Sequence, residues 1–306
     1  MRTALEVRQN PGGLFSIEDT SLTTGSRFYV HSVTGSDAAG YGTSPDAPVA
    51  TIDYAIGLCT ASKGDIIYVM PGHNEGLGDA QIAVDVIGIS IVGLGKGSLR
   101  PRIDFDHANA SIDISVSGCT LKNLALLPSV TTIAIGIDIM AAATDTLIED
   151  VEVLPGEDGA GVDEFAIAID IKAGCSRTKV RGLKARAHAS AAHQDSGVSL
   201  TGASDDVVIE GCDIVVLGAA AVAPIKGITT LSTNVRIRRN TLVTDNEPGI
   251  ELLTGSTGVI SENDISSDLA SLTASIVADT CYKFRNYNCE VVNETGGVVG
   301  TASVDD

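Results

Sequence analysis

From about Ser111 onward, apolar and polar positions recur in a fixed order. A triplet of Ile-Asp-Ile type is followed, about eight or nine residues later, by a segment with marked positions at its start, three residues on and five residues on. The triplets are Ile112-Asp113-Ile114, Ile137-Asp138-Ile139, Ile169-Asp170-Ile171, Val198-Ser199-Leu200, Ile228-Thr229-Thr230, Ile250-Glu251-Leu252 and Ile276-Val277-Ala278. The second segments begin at Leu121, Ile148, Val180, Ile209, Ile237, Ile260 and Phe284. Three residues on stand Leu124, Val151, Leu183, Cys212, Asn240, Asn263 and Tyr287, and five on Leu126, Val153, Ala185, Ile214, Leu242, Ile265 and Cys289. Alternating apolar positions over four to six residues predict strands with one buried face. Between them no segment is long enough for a crossover helix. A repeat of about 23 to 32 residues in the order strand, short turn, strand, longer loop predicts an all-β chain coiling on itself as a parallel solenoid.

Charge supports the same alignment, because nothing in the apolar pattern dictates the residue after each second-segment start. Those residues are Lys122, Glu149, Arg181, Glu210, Arg238, Ser261 and Arg285. Stacked about 4.8 Å apart, the first five form a ladder of alternating sign. Glu152, Lys184 and Asp213 form a second one. Exposed pairs of this kind contribute under about 1 kcal/mol each, so their value lies in fixing register.

In 306 residues the repeat leaves room for one elongated domain with appendages, and an aromatic content of 4% without Trp suits a narrow aliphatic interior. A formal charge of −19 argues against sequence-independent nucleic-acid binding, which needs a basic surface. The run Arg177, Lys179, Arg181, Lys184 and Arg186 looks basic, but the solenoid register is expected to neutralise it against Glu149, Glu152, Glu210 and Asp213. No segment has the length and apolarity of a membrane-crossing helix, and MRTALEVRQNPGG lacks the apolar core of a secretion signal. Synthesis and retention in a cytoplasm are therefore expected. The six cysteines form no C-x-x-C pair, which favours buried reduced thiols over disulfides or zinc ligands.

Residues 1–26 are too few to bury a core and are expected to form an extended arm that anchors the chain. Over residues 51–62, Ile52, Ala55, Ile56 and Cys59 share one helical face, with Thr51 as N-cap and Gly64 as terminator, predicting a short helix that covers the solenoid's open end. The run Gly64-Asp65-Ile66-Ile67-Tyr68-Val69-Met70-Pro71-Gly72 then supplies the first solenoid strand.

Together with Phe28-Tyr29-Val30, Gly35-Ser36-Asp37, Gly42-Thr43, Pro48 and Thr51-Ile52-Asp53-Tyr54-Ala55, that run is similar to the opening segment of right-handed parallel β-helix proteins of the pectate-lyase-like superfamily. The coils carrying Asn240 and Asn263 resemble that superfamily's asparagine-bearing turns. The resemblance covers about residues 27–292. With the residue pattern, the chain is expected to divide into an arm over 1–26, an opening strand and capping helix over 27–63, a parallel β-helix over 64–292 and a tail over 293–306. Versions encoded by tailed bacteriophages, which this chain most resembles, serve as tailspikes, fibres or capsid decorations, often as trimers. What this implies is a homotrimeric virion-surface protein assembled in the host cytoplasm, with the major capsid protein or another virion protein as partner. Neither nucleic acid nor membrane is an expected partner. The fold also hosts polysaccharide lyases and glycoside hydrolases, so it does not by itself assign an activity.

The sharpest chemical candidate is the stack Asp113, Asp138 and Asp170. Like charges about 4.8 Å apart repel by roughly 1 kcal/mol at water's dielectric and roughly 3.5 kcal/mol at an effective value of 20. A bridging Ca²⁺ would relieve this, and the resemblance points the same way, since the corresponding strand of pectate lyases carries acidic calcium ligands. Solvated carboxylates on an acidic face, or a subunit contact, are the other readings. Lys172 lies nearby and Ser199 continues the stack.

Other motifs are weaker. No Gly-His-Gly accompanies Arg236-Ile237-Arg238, which is the nearest match to the Arg-Ile-Lys of polygalacturonase-type hydrolases, and Asp205-Asp206 reads as a turn. Glu157, Asp158, Asp163 and Glu164 in one long loop, with His188, His193 and Asp195 in the next, form a second candidate for metal or acid-base chemistry. His31, His73 and His107 read as isolated surface or turn residues. The expected function is a non-enzymatic capsid decoration held by its arm. The alternatives are a tailspike-type glycan binder and a polysaccharide lyase or hydrolase acting through the three aspartates.

Overall fold

One residue per coil bends the chain from one sheet into the next. Two positions after each inward-pointing residue of the second segment, the backbone enters the left-handed region: Asn123 at φ 55°, Asp150 at 53°, Gly182 at 62°, Gly211 at 65°, Arg239 at 55°, Glu262 at 57° and Arg285 at 52°. What the sequence presents as one strand is therefore two, such as Thr120–Lys122 and Ala125–Pro128. Each full coil has three strands. Only two of the seven bend positions carry glycine, the residue that marks a left-handed turn most plainly, which is why the corner is hard to see in the pattern.

The computed structural model describes residues 5–10, 13–18, 23–131, 133–156, 163–186, 196–217, 223–244, 248–267, 275–288 and 301–302. The fold is a right-handed parallel β-helix. Among the described residues, sheet A has ten strands, from Arg27–Val30 to Tyr282–Phe284. Sheet B also has ten, beginning at Asn74–Gly76, and ends where Thr301–Ala302 pairs antiparallel with Tyr287–Asn288. Sheet C has eight, from Gln81–Val84 to Ile276–Val277. Among the described residues no helix is long and apolar enough to cross a membrane.

The core is a set of stacked columns. In sheet A the inward column runs Ile67, Ile91, Leu121, Ile148, Val180, Ile209, Ile237 and Ile260, and each is at most 1% exposed. Burying such a side chain contributes about 1.5–3 kcal/mol, so the columns supply most of the drive for coiling. Phe105 and Phe165 meet edge-on in the interior, with ring centroids 4.8 Å apart.

Asparagines take over one column. Inside the A-to-B corner, Leu124, Val151, Leu183 and Cys212 give way to Asn240 and Asn263, which are 1% and 0% exposed. Asn240 Nδ2 donates to Asn263 Oδ1 at 2.9 Å, and Asn263 Nδ2 donates to Asn286 Oδ1 at 2.9 Å. The Oδ1 atoms of Asn240, Asn263 and Asn286 also accept backbone N–H groups of the preceding coil, from Cys212 at 2.9 Å, Asn240 at 3.1 Å and Asn263 at 3.2 Å respectively. Buried amides are tolerable here because each finds partners above and below.

This ladder corrects the last copy of the repeat. Asn286 continues the column, so Lys283, not Phe284, pairs with Ile260, and Asn288, not Cys289, pairs with Ile265. A slip of one residue reverses inside and outside, so Phe284 faces out at 43% exposure and Arg285 leaves the charge ladder for the corner, 3.8 Å from Glu262. The fifth triplet is also corrected. Ile225-Lys226-Gly227, not Ile228-Thr229-Thr230, pairs with Val198-Ser199 and with Ile250-Glu251-Leu252. Ile225 is fully buried whereas Ile228 is 38% exposed, so burial chose between two isoleucines three residues apart.

The capping helix spans Ile52–Leu58 and stops short of the expected 51–62, with Cys59 extended at its C-cap. Gly64, at φ 75°, opens the turn into the strand Ile66–Val69 instead of ending the helix. Thr51 caps as expected, its Oγ1 accepting from Tyr54 N at 3.3 Å. Beneath it His73 is buried, contrary to the surface expectation. Its Nδ1 accepts from Ser32 N at 3.0 Å and its Nε2 lies 3.0 Å from Glu75 Oε2. Glu75 in turn accepts from Ile52 N at 3.1 Å, tying helix, opening segment and first coil together. Within residues 1–26, strands Leu5–Asn10 and Gly13–Glu18 pair as an antiparallel hairpin.

Candidate functional site

Sheet C carries the predicted aspartates in register, with Asp113 beside Asp138 and Asp138 beside Asp170. Ala83 precedes them, and Ser199, Lys226 and Glu251 follow. The strand alternation turns them outward, yet Asp138 is only 7% exposed and Asp170 2%. Each is held by a neighbour. Lys172 Nζ pairs with Asp138 Oδ2. Thr201 Oγ1 lies 2.8 and 2.9 Å from the two oxygens of Asp170, and Ser111 Oγ donates to Asp113 Oδ1 at 2.8 Å.

Burial pushes the carboxyls of both Asp138 and Asp170 above the usual range. The bond from Lys172 opposes this at Asp138, and the hydroxyl of Thr201 opposes it at Asp170. Burial alone would lower the Lys172 pKa, but its bond to Asp138 and the charges of Asp138, Asp170 and Asp113 raise it. Lys172 is thus the cation for this column, supplied from within the chain. Asp138 Oδ1 is buried without a hydrogen-bond partner and lies at the floor of an open cleft of about 540 Å³ lined also by Gln81, Asn109, Ser111, Asp113 and Met140.

Calcium takes six to eight oxygens around one point. Here the carboxylates adjoin, but four of their six oxygens are engaged by a lysine and two hydroxyls, and among the described residues no three His, Cys, Asp or Glu side chains converge to hold a metal. The donor set does not fit Ca²⁺.

The loop candidate divides. Glu157, Asp158, His188, His193 and Asp195 lie outside the described residues, while Asp163 and Glu164 are both buried at 7% exposure. His107 pairs with Asp79 at 3.1 Å. Asp205-Asp206 forms the expected turn, with Asp206 at φ 57° and paired with Arg236. Asp205 accepts from Thr233 at 2.6 Å and Asn234 at 2.8 Å, which lowers its carboxyl pKa. Five cysteines, Cys59, Cys119, Cys175, Cys212 and Cys281, are free thiols, and burial pushes those of Cys59 and Cys212 up to about 12. Cys289 lies outside the described residues.

On sheet A the charge ladder stacks as read. Lys122 meets Glu149 at 2.6 Å, and Glu210 meets Arg181 at 2.6 Å and Arg238 at 2.7 Å. The neutralisation expected for the whole basic run is incomplete, however. Lys179 stacks between Leu147 and Val208, not between carboxylates, and among the described residues makes no ion pair within 4 Å, although its charge acts on Asp145. Sequence reasoning missed this because the ladder was tested two positions further along the strand, at Arg181.

No known protein family matches the chain, and no curated protein matches it. Among solved structures it is similar to a rhamnogalacturonan lyase, at 12% identity and a TM-score of 0.47 over 90% of each chain. It is also similar to the Geobacillus virus E2 ORF18 protein, at 10% identity and a TM-score of 0.42 over 93% of this chain and 67% of that one. A third is the GH136 lacto-N-biosidase from Eubacterium ramulus, at 10% identity and a TM-score of 0.38 over 87% of this chain and 68% of that one. At such identities the likeness concerns the fold alone.

Proposed function

We propose that the chain is a non-enzymatic structural protein of a virus particle's surface, a trimeric capsid decoration attached to the capsid protein through residues 1–26 and assembled in the host cytoplasm. The observation that carries this reading is the engagement of the outward polar columns. The three aspartates of sheet C are tied to Lys172, Thr201 and Ser111, and the ladder of sheet A is tied across coils. Side chains committed to their neighbours stiffen a plate or rod; they leave few groups free to attack or protonate a substrate. The resemblance of residues 27–72 to phage β-helix proteins and the hairpin preceding the solenoid agree with attachment at that end.

Imaging of the native particle tests it, together with a chain lacking residues 1–22. The truncated chain is expected to melt like the full one and to be lost from capsids. Incorporation at the full level, or density confined to the tail, overturns the reading. A glycan-degrading activity abolished by Asp138→Asn would replace it with the enzymatic alternative.

A further inference from the structure

We propose that the cleft on the outer face of sheet C binds a primary alkylammonium group, carried by a partner's lysine side chain or by a free polyamine. This goes beyond the virion placement above and stands or falls separately from it.

The cleft, of about 540 Å³, crosses three coils, and its lining holds the carboxylates of Asp79, Asp113 and Asp138 but no lysine or arginine. One oxygen of each carboxylate is already engaged. Asp79 Oδ1 meets His107 Nδ1 at 3.1 Å and accepts from Asn109 Nδ2 at 2.8 Å, Asp113 Oδ1 accepts from Ser111, and Asp138 Oδ2 pairs with Lys172. Among the described residues, Asp113 Oδ2 and Asp138 Oδ1 accept no hydrogen bond. Asp138 makes the stronger case for a ligand, because it is only 7% exposed. A carboxylate oxygen taken out of water and given no donor is costly, and a donor entering the cleft removes that cost.

Asp113 and Asp138 stand side by side on adjacent strands, so their carboxylates lie about 4.8 Å apart. A nitrogen between them is within hydrogen-bond distance of both. The terminal torsion of an aspartate is soft, so Oδ1 of Asp138 turns up to the donor while Oδ2 keeps Lys172. This arrangement separates the cations that an acidic cleft could take. Calcium needs six to eight oxygens around one point, and two are free here. A guanidinium pairs best with both oxygens of one carboxylate, whereas Asp113 and Asp138 each offer one. An ammonium is compact and has three donors pointing in different directions, so it takes one oxygen from each. Beside the carboxylates, Ala108, Ala134, Ile135 and Met140 give the walls apolar surface, which suits the methylene stem of an alkylammonium.

The test is NMR titration of the full chain with Nα-acetyl-lysine amide, its Nε-trimethyl form, Nα-acetyl-arginine amide, spermidine and KCl. The trimethyl form keeps the charge and loses every N–H donor. Two variants accompany it: Asp113→Asn removes one acceptor charge, and Ala134→Leu adds bulk at an exposed position of the cleft wall. Lysine amide and spermidine are expected to shift the amide resonances of Asp113, Ile135 and Asp138 saturably, and to bind about tenfold more tightly than the trimethyl and arginine forms. Each variant is expected to weaken lysine amide about tenfold and to leave resonances away from the cleft in place. Tighter binding of spermidine than of lysine amide identifies a free polyamine as the ligand; the reverse identifies a partner's lysine. Equal affinity for the trimethyl form, the same shifts from KCl at equal concentration, unchanged affinity in both variants, or the lack of any saturable shift overturns the proposal.

Discussion

Replacing Asn263 by Leu removes a side chain of similar size and isolates the hydrogen-bond contribution of the buried ladder. Asn263 Oδ1 accepts from Asn240 N at 3.1 Å and Asn240 Nδ2 at 2.9 Å, and its Nδ2 donates to Ile237 O at 3.1 Å and Asn286 Oδ1 at 2.9 Å. The four partners do not suffer equally. Asn286 Oδ1 keeps the backbone N–H of residue 263, and Asn240 Nδ2 keeps Ile209 O at 3.2 Å. The backbone N–H of Asn240 loses its acceptor inside the core, which costs about 1–3 kcal/mol, and the other three lost bonds add roughly 1 kcal/mol each. Burial of the leucine returns about 1.5–3 kcal/mol. The net expectation is a loss of about 1–4.5 kcal/mol, read as a lower urea midpoint with an unchanged m-value. The chain has no Trp, so circular dichroism at strand wavelengths is the suitable signal. A second variant separates bonding from shape. Asn263→Asp keeps the acceptor but turns the donor towards Ile237 O and Asn286 Oδ1 into another acceptor. Its folded-state pKa must rise, so its stability should fall as pH increases through that value and recover below it. An Asn263→Leu protein with the parental midpoint would refute the reasoning.

Four further outcomes are expected. Lys172→Met leaves Asp138 buried without its cation and should cost about 2 kcal/mol at neutral pH, a figure discounted because the lysine is 34% exposed; because the folded-state pKa of Asp138 is raised, the deficit should shrink as pH falls through it in a series of thermal melts. Millimolar Ca²⁺ should leave the melting midpoint unchanged, since four of the six aspartate oxygens are engaged by Lys172, Thr201 and Ser111; a rise of several degrees would show that the aspartates hold a cation. Arg177→Gln should return the Asp145 carboxyl from about 2 towards the ordinary carboxylate value, followed by NMR titration, because the guanidinium bonds at 2.6 and 2.7 Å are what hold it down. Two glycine substitutions with nothing within 4 Å of the added Cβ should act in opposite directions: Gly211→Ala, at φ 65°, should cost about 1–2 kcal/mol, and Gly57→Ala, in the helix, should stabilise by roughly 0.5–1 kcal/mol, both measured by urea unfolding.

The columns from Leu121 to Ile260, the charge ladder from Lys122 to Arg238 and the adjacency of Asp113, Asp138 and Asp170 were all legible in the chain. They follow from a local rule, because a stacked coil repeats the same environment at the same position. The candidate site was legible as a set of residues, but its chemistry was not. Lys172 stood next to the third aspartate's triplet in the sequence, and only the fold shows it reaching back one coil to Asp138.

What the sequence by itself determined was the kind of structure: strands, a stacking register over most of its length, and outward positions where charges alternate. Tertiary structure decided where a coil turns and where the register ends. Corners at Arg239, Glu262 and Arg285 need a left-handed backbone that no preference of these residues announces, and the tolerance of Asn123 and Asp150 for it is too common a property to mark a corner. Ile225 rather than Ile228, and Lys283 rather than Phe284, took the paired positions. The reason is common to both. Periodicity is a property of neighbours along the chain, whereas register is settled by hydrogen bonds and burial between coils some 23 residues or more apart, such as the bond from Asn263 to Asn286.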